Sequence, residues 1–431
     1  MGKILCSVEP WDSILGTNRP NGTSRTWNFE ETKTPEILYT ITEDLVNNSD
    51  QETIFRGTTL IHLHDDLEKV EIHEIGDQKH LYIIRVLNHS FFFKNLNIGF
   101  SPISPKVLVD VKEGRAKIII EMTTEGKYFE HPGTEFSVIE RWRIKQKLPP
   151  HSVAVIAGNL KVKEIIKNNK LKLNGYGKST FEGFCVIPEE FIEDKTLITE
   201  FKPIDNEYLY LSYNRSERLH RGFLVAKLNE YRLLDKGKIS YQIANIDLSK
   251  LRSELLNLNL WRKLKLKGPK FIDKDLQTNL AQQSTVEHYS QTFVNVVTET
   301  TVDNQCVFFS EKIFKPIAFG QPFLLIGNPE SLKYLKKLGY KTFDKWWDES
   351  YDNITDVYKR TEAVVKIVND LSKKSIVELK QMREEMKPVL LHNRDVHLKQ
   401  YNISHQVNGH LDVLNEIRTE WALLTEPTKL L

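Results

Sequence analysis

The stretch 308–327, with the sequence FFSEKIFKPIAFGQPFLLIG, constrains the fold more than any other part of the chain. It begins at the end of an apolar strand predicted at 307–309, continues through a polar Ser-Glu-Lys, and enters a short helix that stops at Gly320. A second apolar strand, 322–326, follows at once. Because strand, loop, helix and strand follow one another so closely, the stretch predicts an α/β sheet with parallel strands.

The polar residues at the start of this helix indicate an anion site. A helix N-terminus carries unpaired backbone N–H groups and a partial positive charge, and Lys312 would add a full charge. We interpret this helix start as a diphosphate-binding site, with Glu311 placed to accept hydrogen bonds from ribose or sugar hydroxyls. Pro316 fits if the helix starts near Lys312, because a first turn tolerates proline. An ordinary crossover with a surface ion pair is the alternative interpretation.

Size and composition exclude several classes of protein. A chain of 431 residues with 40% hydrophobic residues has room for two or three domains. The net charge of +2 is too balanced for a general polyanion-binding protein. Cys6, Cys185 and Cys306 are too scattered for a disulfide framework or a CxxC metal site. No apolar run approaches the roughly 20 residues of a membrane span, and no secretory signal is present, so we expect a soluble cytoplasmic protein.

The first part of the chain, 1–200, is predicted to form one Rossmann-like domain. Its strongest strand is 115–122 (RAKIIIEM), which leads into Thr-Thr-Glu-Gly. A helix is predicted from 34, where threonine and proline mark its start, and another at 162–168. Further extended segments are predicted at 3–8, 58–63, 80–87, 106–111 and 153–157.

The second part, 201–372, is predicted to form another Rossmann-like domain. It opens with a strand at 208–212 (YLYLS), a polar turn and an apolar-striped helix, and a strand at 238–242 follows. A last short strand is expected at 341–343. Helices are predicted at 357–371 and 375–390, the second with a Ser375–Glu378 capping box. We assign 373–431 to C-terminal helices that pack back across the domains.

Two loops of the second domain are expected to converge on one ligand. In a doubly wound sheet, the loops at the carboxyl ends of the strands gather along one edge, where ligands bind. Arginine and lysine side chains there suit a diphosphate, because guanidinium groups form paired hydrogen bonds to its oxygens. The alternative interpretation is that each arginine, considered individually, is an ordinary surface residue. The predicted binding residues are Asn214, Arg215, Arg218, Arg221, Ser310, Glu311 and Lys312.

The segments NRSERLHR, LLDKG and SEKIFKPIAFGQPFLLIG together resemble the nucleotide-sugar-binding domain of the family-10 fucosyltransferases. The resemblance covers about 205–330. It implies a GT-B fold with two Rossmann-like domains facing a cleft, the first binding the acceptor. It also implies inverting transfer from GDP-fucose without a redox cofactor. On matching positions, Glu311 would contact the nucleoside or sugar, Lys312 the phosphates, and Arg215 or Arg218 the diphosphate.

The family's catalytic base is a glutamate that follows an apolar strand of the first domain. Here the segment RAKIIIEMTTEG offers Glu121 and Glu125, and the family's Glu-Ser-Pro pattern is absent. An inverting transfer needs one carboxylate to deprotonate the acceptor hydroxyl, and cations to stabilise the departing diphosphate. Glu125 is the first choice and Glu121 the second. The chain, with its segment GYKTFDKWWDESYD, also resembles bacterial and phage hypothetical glycosyltransferases.

Other motifs give weaker hypotheses. The segment HLHDD at 62–66 resembles half of a metal site, and GKST at 177–180 lacks the first glycine of a phosphate-binding loop. The acidic segment 344–356 does not require an ion, so no metal is expected. The main prediction is therefore a metal-independent glycosyltransferase that uses a nucleoside-diphosphate sugar, with GDP favoured. Its acceptor would be a glycan, a protein or, through the basic run 261–270, a nucleic acid. The alternative is a catalytically silent α/β protein that binds a nucleotide or a partner.

Overall fold

The computed structural model describes the chain in two compact units, which comprise 1–180 with 403–431 and 181–402. The C-terminal helices expected at 373–431 are thus divided between the two units. The residues described are 4–8, 67–71, 74–85, 93, 96, 103, 105–123, 132–179, 200–204, 206–250, 252–272, 285–302, 306–405, 413, 414, 416, 417, 419 and 420. The strand predicted at 58–63, the helix predicted from 34 and the segment HLHDD lie outside them.

The first unit contains one parallel sheet of six strands with the order β2-β1-β3-β4-β5-β6. The strands are β1 Ile4–Val8, β2 Leu67–Glu71, β3 His80–Arg85, β4 Ala116–Met122, β5 Val153–Ala157 and β6 Asn174–Gly177. Its helices are α1 Pro105–Lys112, α2 Pro132–Lys145 and α3 Val162–Asn168. β4 and β5 are inner strands and are buried along their whole length, as expected for parallel strands with both faces covered.

The last described residues of the chain complete the core of this first unit. Val413, Leu414 and Ile417 pack in one apolar cluster with strand residues that include Leu81 and Ile119. The Tyr176 hydroxyl donates a hydrogen bond to Glu420 Oε2 at 2.5 Å. Both ends of the sequence therefore contribute to the same sheet layer.

One element of the first unit differs in type from its prediction. Residues 106–111 were expected to be extended because they are rich in valine and leucine, and they form α1 instead. Pro105 occupies the first helical position, where its fixed φ favours a helix. Val107 and Val111 lie four residues apart and are both buried, while Val109 is 46% exposed. The helical spacing of these two valines outweighs the strand preference of β-branched residues.

The second unit contains one parallel sheet of four strands with the order β10-β9-β7-β8. The strands are β7 Tyr210–Asn214, β8 Gly237–Tyr241, β9 Val294–Thr298 and β10 Phe323–Ile326. The helices are α4 Leu219–Glu230, α5 Leu258–Lys267, α6 Val286–Gln291, α7 Glu311–Ala318, α8 Ser331–Lys337, α9 Val357–Leu371 and α10 Ile376–His405, of which residues 403–405 belong to the first unit. The predicted class, α/β with two Rossmann-like units, is confirmed.

The strand order places a topological switch point between β7 and β9. From β7 the chain passes through α4 to β8 on one side, and from β9 it passes through α7 to β10 on the other. Where the direction of winding reverses in this way, the loops after the two central strands separate and leave a crevice. In this unit those loops follow Asn214 and Thr298.

Three elements of the second unit are corrected. Residues 307–309 are buried but form no strand, and the strand before the Ser-Glu-Lys segment is β9. Pro316 is the sixth residue of α7 and not part of its first turn, because the helix begins at Glu311 with Ser310 as its N-cap. Residues 341–343 form no strand either. Their backbone is bound by side chains instead: Phe343 N–H donates to Glu349 at 2.7 Å.

The helices after the second sheet begin at defined caps. Asp356 caps α9, and its carboxylate accepts the backbone N–H of Tyr358 at 2.8 Å. The predicted capping box is present at α10, since Ser375 N–H donates to Glu378 at 2.7 Å and Ser375 Oγ accepts the Glu378 N–H at 3.3 Å. α10 continues well beyond its predicted end at 390. Among the described residues, every helix is too short or too polar to span a membrane.

Candidate functional site

Asn214, at the carboxyl end of β7, binds the neighbouring strand. Its amide nitrogen donates to Ser212 Oγ at 2.9 Å, and its amide oxygen accepts the Thr298 hydroxyl at 2.7 Å. Ser212 Oγ in turn donates to the Val296 carbonyl at 2.8 Å. Because β7 starts and ends two residues later than predicted, Asn214 lies in the strand and not in the loop. Its described bonds hold β7 and β9 together at the switch point.

Arg221 lies in the first turn of α4, against the end of β9. It is 4% exposed, and its two terminal nitrogens donate to the carbonyls of Ser216 and Thr298, each at 3.3 Å. Burial, with a smaller contribution from the charge of nearby Arg218, lowers the pKa of Arg221 to about 10, while Glu299 and Glu311 oppose the shift. The side chain therefore remains a cation at neutral pH.

Arg218 and Arg215 come from the loop that leads into α4. Arg218 is the N-cap residue of this helix and is half-buried. Its Nε atom is buried and makes no hydrogen bond to any described residue, and the same is true of Arg221 Nε. Arg215 is also half-buried, and its guanidinium carbon lies 5.7 Å from the centre of the Phe271 ring.

The start of α7 supplies a serine, a carboxylate and a cation. Ser310 Oγ accepts the backbone N–H of Lys312 at 3.4 Å. The Lys312 ammonium donates to Glu311 at 2.7 Å, and to Ser310 Oγ and Thr300 Oγ1 at 3.3 Å each. The Lys312 side chain is 29% exposed, so it is held by protein groups and still reaches solvent.

Glu299 was not predicted, and it lies at the centre of this arrangement. It directly follows β9, is fully buried, and its carboxylate accepts the Ser310 N–H at 3.2 Å and the Ser310 hydroxyl at 2.5 Å. Burial raises the pKa of Glu299, although Lys312 and the bonds from Ser310 act against that rise. A glutamate after an apolar strand is a recognisable pattern, but it was missed because the strand was expected at 307–309.

His220 connects α4 to the backbone of Glu299. His220 Nε2 donates to the Glu299 carbonyl at 3.0 Å, and since a carbonyl only accepts, this nitrogen carries the proton. Burial, with a smaller contribution from the charge of Arg221, lowers the pKa of His220 to about 3. The imidazole is therefore neutral and serves as a fixed donor between the two elements.

The loop before α4 and the start of α7 thus lie close together, and their binding of one ligand stays a prediction. Arg221 interacts electrostatically with Arg218, Glu299 and Glu311, and Glu299 interacts with Lys312. Three cations and two carboxyl groups gather at the switch point, and we call this set the cationic cluster: Arg218, Arg221, Glu299, Glu311 and Lys312. Such a cluster can neutralise a multiply charged anion. If that anion carries hydroxyl groups, Glu311 can accept hydrogen bonds from them.

The two carboxylates proposed as base lie in the first unit. Glu121 is on the inner strand β4 and is fully buried. Its Oε1 accepts the Thr123 N–H at 3.0 Å and also the Thr123 hydroxyl, so this oxygen has partners within the strand end. Glu125 lies outside the described residues, and its role stays a prediction.

Residues of the basic run and of the acidic segment contribute to the packing and the helix caps of the second unit. In the basic run, Trp261 and Leu264 of α5 are buried, while Arg262, Lys263 and Lys267 are exposed. In the acidic segment, Asp352 caps α8 by accepting the backbone N–H of Leu332 at 3.1 Å. No group of three or more His, Cys, Asp or Glu side chains suited to a metal occurs in the described part of the chain.

Comparisons with known proteins give few matches. The chain matches no protein-family model and no curated protein. The crystal structure of HepE from Anabaena in complex with UDP is similar, with a TM-score of 0.43 and 10% sequence identity. That similarity covers 96% of this chain and 99% of the HepE chain.

Proposed function

We propose that the second unit binds a nucleoside-diphosphate sugar and that the protein is a glycosyltransferase. The observation that supports this most is the cationic cluster at the switch point between β7 and β9. Ligands of open parallel sheets bind at such points, and phosphate groups bind at helix N-termini. The cluster combines both features, since Lys312 lies in the first turn of α7.

The chemistry of the cluster suits a diphosphate as a leaving group. Arg218 is half-buried at the N-terminus of α4, where its guanidinium can donate to a phosphate oxygen, and the buried Arg221 adds positive charge beside it. The partly exposed ammonium of Lys312 provides a third cation. Cations fixed in this way stabilise the negative charge that develops when a glycosidic bond to a diphosphate breaks. Because its amide is bonded within the sheet, we assign Asn214 to support of the site.

The finer features of the reaction rest on the resemblance to the family-10 fucosyltransferases. We propose inverting transfer without a metal, with a GDP sugar as donor and Arg215 as a further diphosphate ligand. Glu311 would bind the ribose or sugar hydroxyls. We favour Glu125 over Glu121 as base, because Glu121 is fully buried and bonded to Thr123. The acceptor would be a hydroxyl of a glycan, a protein or a nucleic acid, in a cytoplasmic setting.

Two measurements test this proposal. Calorimetry with GDP, UDP and their sugars should detect binding, and incubation with an acceptor panel of glycans, proteins and nucleic acids should release the nucleoside diphosphate. Glu125→Gln should preserve binding and abolish release, since the amide cannot take the proton of the acceptor hydroxyl. Glu164→Gln, at an exposed glutamate of the same unit, is the matched control and should retain full turnover.

Contrary results would have distinct meanings. Binding without any release of nucleotide across the acceptor panel would favour the catalytically silent protein. Full activity of Glu125→Gln would exclude Glu125 as the base. Absence of binding by all nucleotides and nucleotide sugars would refute the proposed function.

A further inference from the structure

Glu299 joins three elements around the cationic cluster without reaching solvent. Its backbone carbonyl accepts the hydrogen bond from His220 on α4, and its carboxylate accepts two from Ser310 at the start of α7. It also accepts the Thr300 N–H at 3.3 Å, within its own loop. Glu299 is 0% exposed, so it has no surface with which to contact a bound ligand.

The proton of the Ser310 hydroxyl determines how Lys312 is held. A serine hydroxyl has one donor and two acceptor positions. Its proton points to Glu299 Oε2 at 2.5 Å, because the backbone N–H and the ammonium of Lys312 can only donate to Ser310 Oγ. The two lone pairs are then available to the backbone N–H and the ammonium of Lys312, at 3.4 and 3.3 Å. The orientation of the Ser310 hydroxyl, and with it one anchor of the ammonium, follows from Glu299.

The space around Glu299 is also restricted. A Cβ added at Gly327, which follows β10, would lie 3.5 Å from Glu299 Cγ and 2.9 Å from Ser331 Oγ. The Glu299 side chain thus lies against Gly327 as well as against the start of α7, and it is buried between them.

We propose that Glu299 is a positioning residue, which orients the Ser310 hydroxyl and thereby holds the Lys312 ammonium where it meets the diphosphate. This inference rests on the proposed function and names a residue that acts through another. A glutamine at 299 has nearly the same shape, but its amide nitrogen donates where the carboxylate accepted. That donor would compete with Lys312 for the lone pairs of Ser310, and the ammonium would lose this anchor.

A double-mutant cycle tests the inference. GDP and UDP are titrated by calorimetry into the wild type, Glu299→Gln, Lys312→Met and the double variant. Glu299→Gln should weaken binding about five- to tenfold in the wild-type background and by less than about twofold in the Lys312→Met background. A residue with only a structural role would weaken binding by the same factor in both backgrounds.

A control and a second route keep the test decisive. Asp352→Asn alters a buried carboxylate that also accepts N–H groups at a helix start in this unit, and it should leave nucleotide affinity unchanged. If Glu299→Gln does not fold, Ser310→Ala breaks the same link and should show the same coupling with Lys312→Met. Suppose that the wild type binds nucleotide and that Glu299→Gln changes the affinity by the same factor, or not at all, in both backgrounds. That result would overturn the inference and leave the proposed function standing. Absence of binding by the wild type would overturn both.

Discussion

Replacing Lys312 with methionine separates a binding role from a structural one. Methionine retains the unbranched stem of lysine and removes the ammonium. The ammonium has three partners in the second unit, namely Glu311 at 2.7 Å and two hydroxyls at 3.3 Å. The side chain is 29% exposed, so solvent screens its ion pair with Glu311.

The expected losses in stability and in affinity differ in size. A partly exposed ion pair contributes about 0–1 kcal/mol, so the free energy of unfolding should fall by about 1 kcal/mol or less. A hydrogen bond from a charged donor to a phosphate contributes about 1.5–3 kcal/mol. The dissociation constant for GDP or UDP should therefore rise by roughly 10- to 150-fold, at about 1.4 kcal/mol for each factor of ten.

The assay pairs calorimetry of nucleotide binding with urea unfolding of the same preparations. Lys336→Met is the matched control, because Lys336 also pairs with a carboxylate, Asp344, at 3.0 Å. It lies in the last turn of α8, and its ionic partners Asp344 and Glu349 are outside the cationic cluster. Its affinity should equal that of the wild type. Equal affinities of Lys312→Met and the wild type would remove Lys312 from the site.

Two further predictions concern stability. Asp352→Ala should lower the free energy of unfolding by about 1–2 kcal/mol in urea, because the first turn of α8 loses its cap, and Asp352→Asn should lower it less; equal stability of the wild type and the alanine variant would contradict this. Burial lowers the pKa of both His220 and His397 to about 3. Between pH ~6.5 and about 3 only the unfolded chain binds these protons. The free energy of unfolding should therefore decrease as the pH is lowered, by up to about 1.4 kcal/mol per pH unit for each histidine. His220→Gln, which can still donate to the Glu299 carbonyl, should reduce that slope by one proton; an unchanged slope would refute the assignment.

Local sequence patterns predicted the elements that carry a complete start or an uninterrupted apolar run. α10 begins at its predicted capping box, and β4 and β5 lie where the apolar runs place them. α9 has the bounds predicted for an amphipathic helix. The prediction failed where an apolar segment could be buried either as a strand or in another conformation. Residues 307–309 are buried without a strand, and 106–111 bury two valines as a helix. Burial alone therefore does not identify a strand, because ladder partners distant in sequence decide the outcome.

In the candidate site too, local sequence patterns predicted some residues, while the roles of others depend on partners that are distant in sequence. The loop arginines and the Ser-Glu-Lys helix start were predicted from charge and helix chemistry to form a binding site. The structure brings Arg218, Arg221 and Lys312 into one cluster, and its binding of a ligand stays a prediction. Glu299 was missed because its significance depends on which strand precedes Ser310. Asn214 was assigned to the loop because the register of β7 could not be fixed from its apolar pattern, and its partner Thr298 is distant in sequence.

The first unit takes its core from both ends of the chain. Val413, Leu414 and Ile417 cover sheet residues such as Leu81 and Ile119, and the entire second unit separates them in sequence. During synthesis, these three side chains leave the ribosome only after residues 181–402 have been made. The second unit can therefore fold while the apolar face of the first sheet is still exposed, and in that interval the nascent first unit would be open to aggregation or to binding by a chaperone.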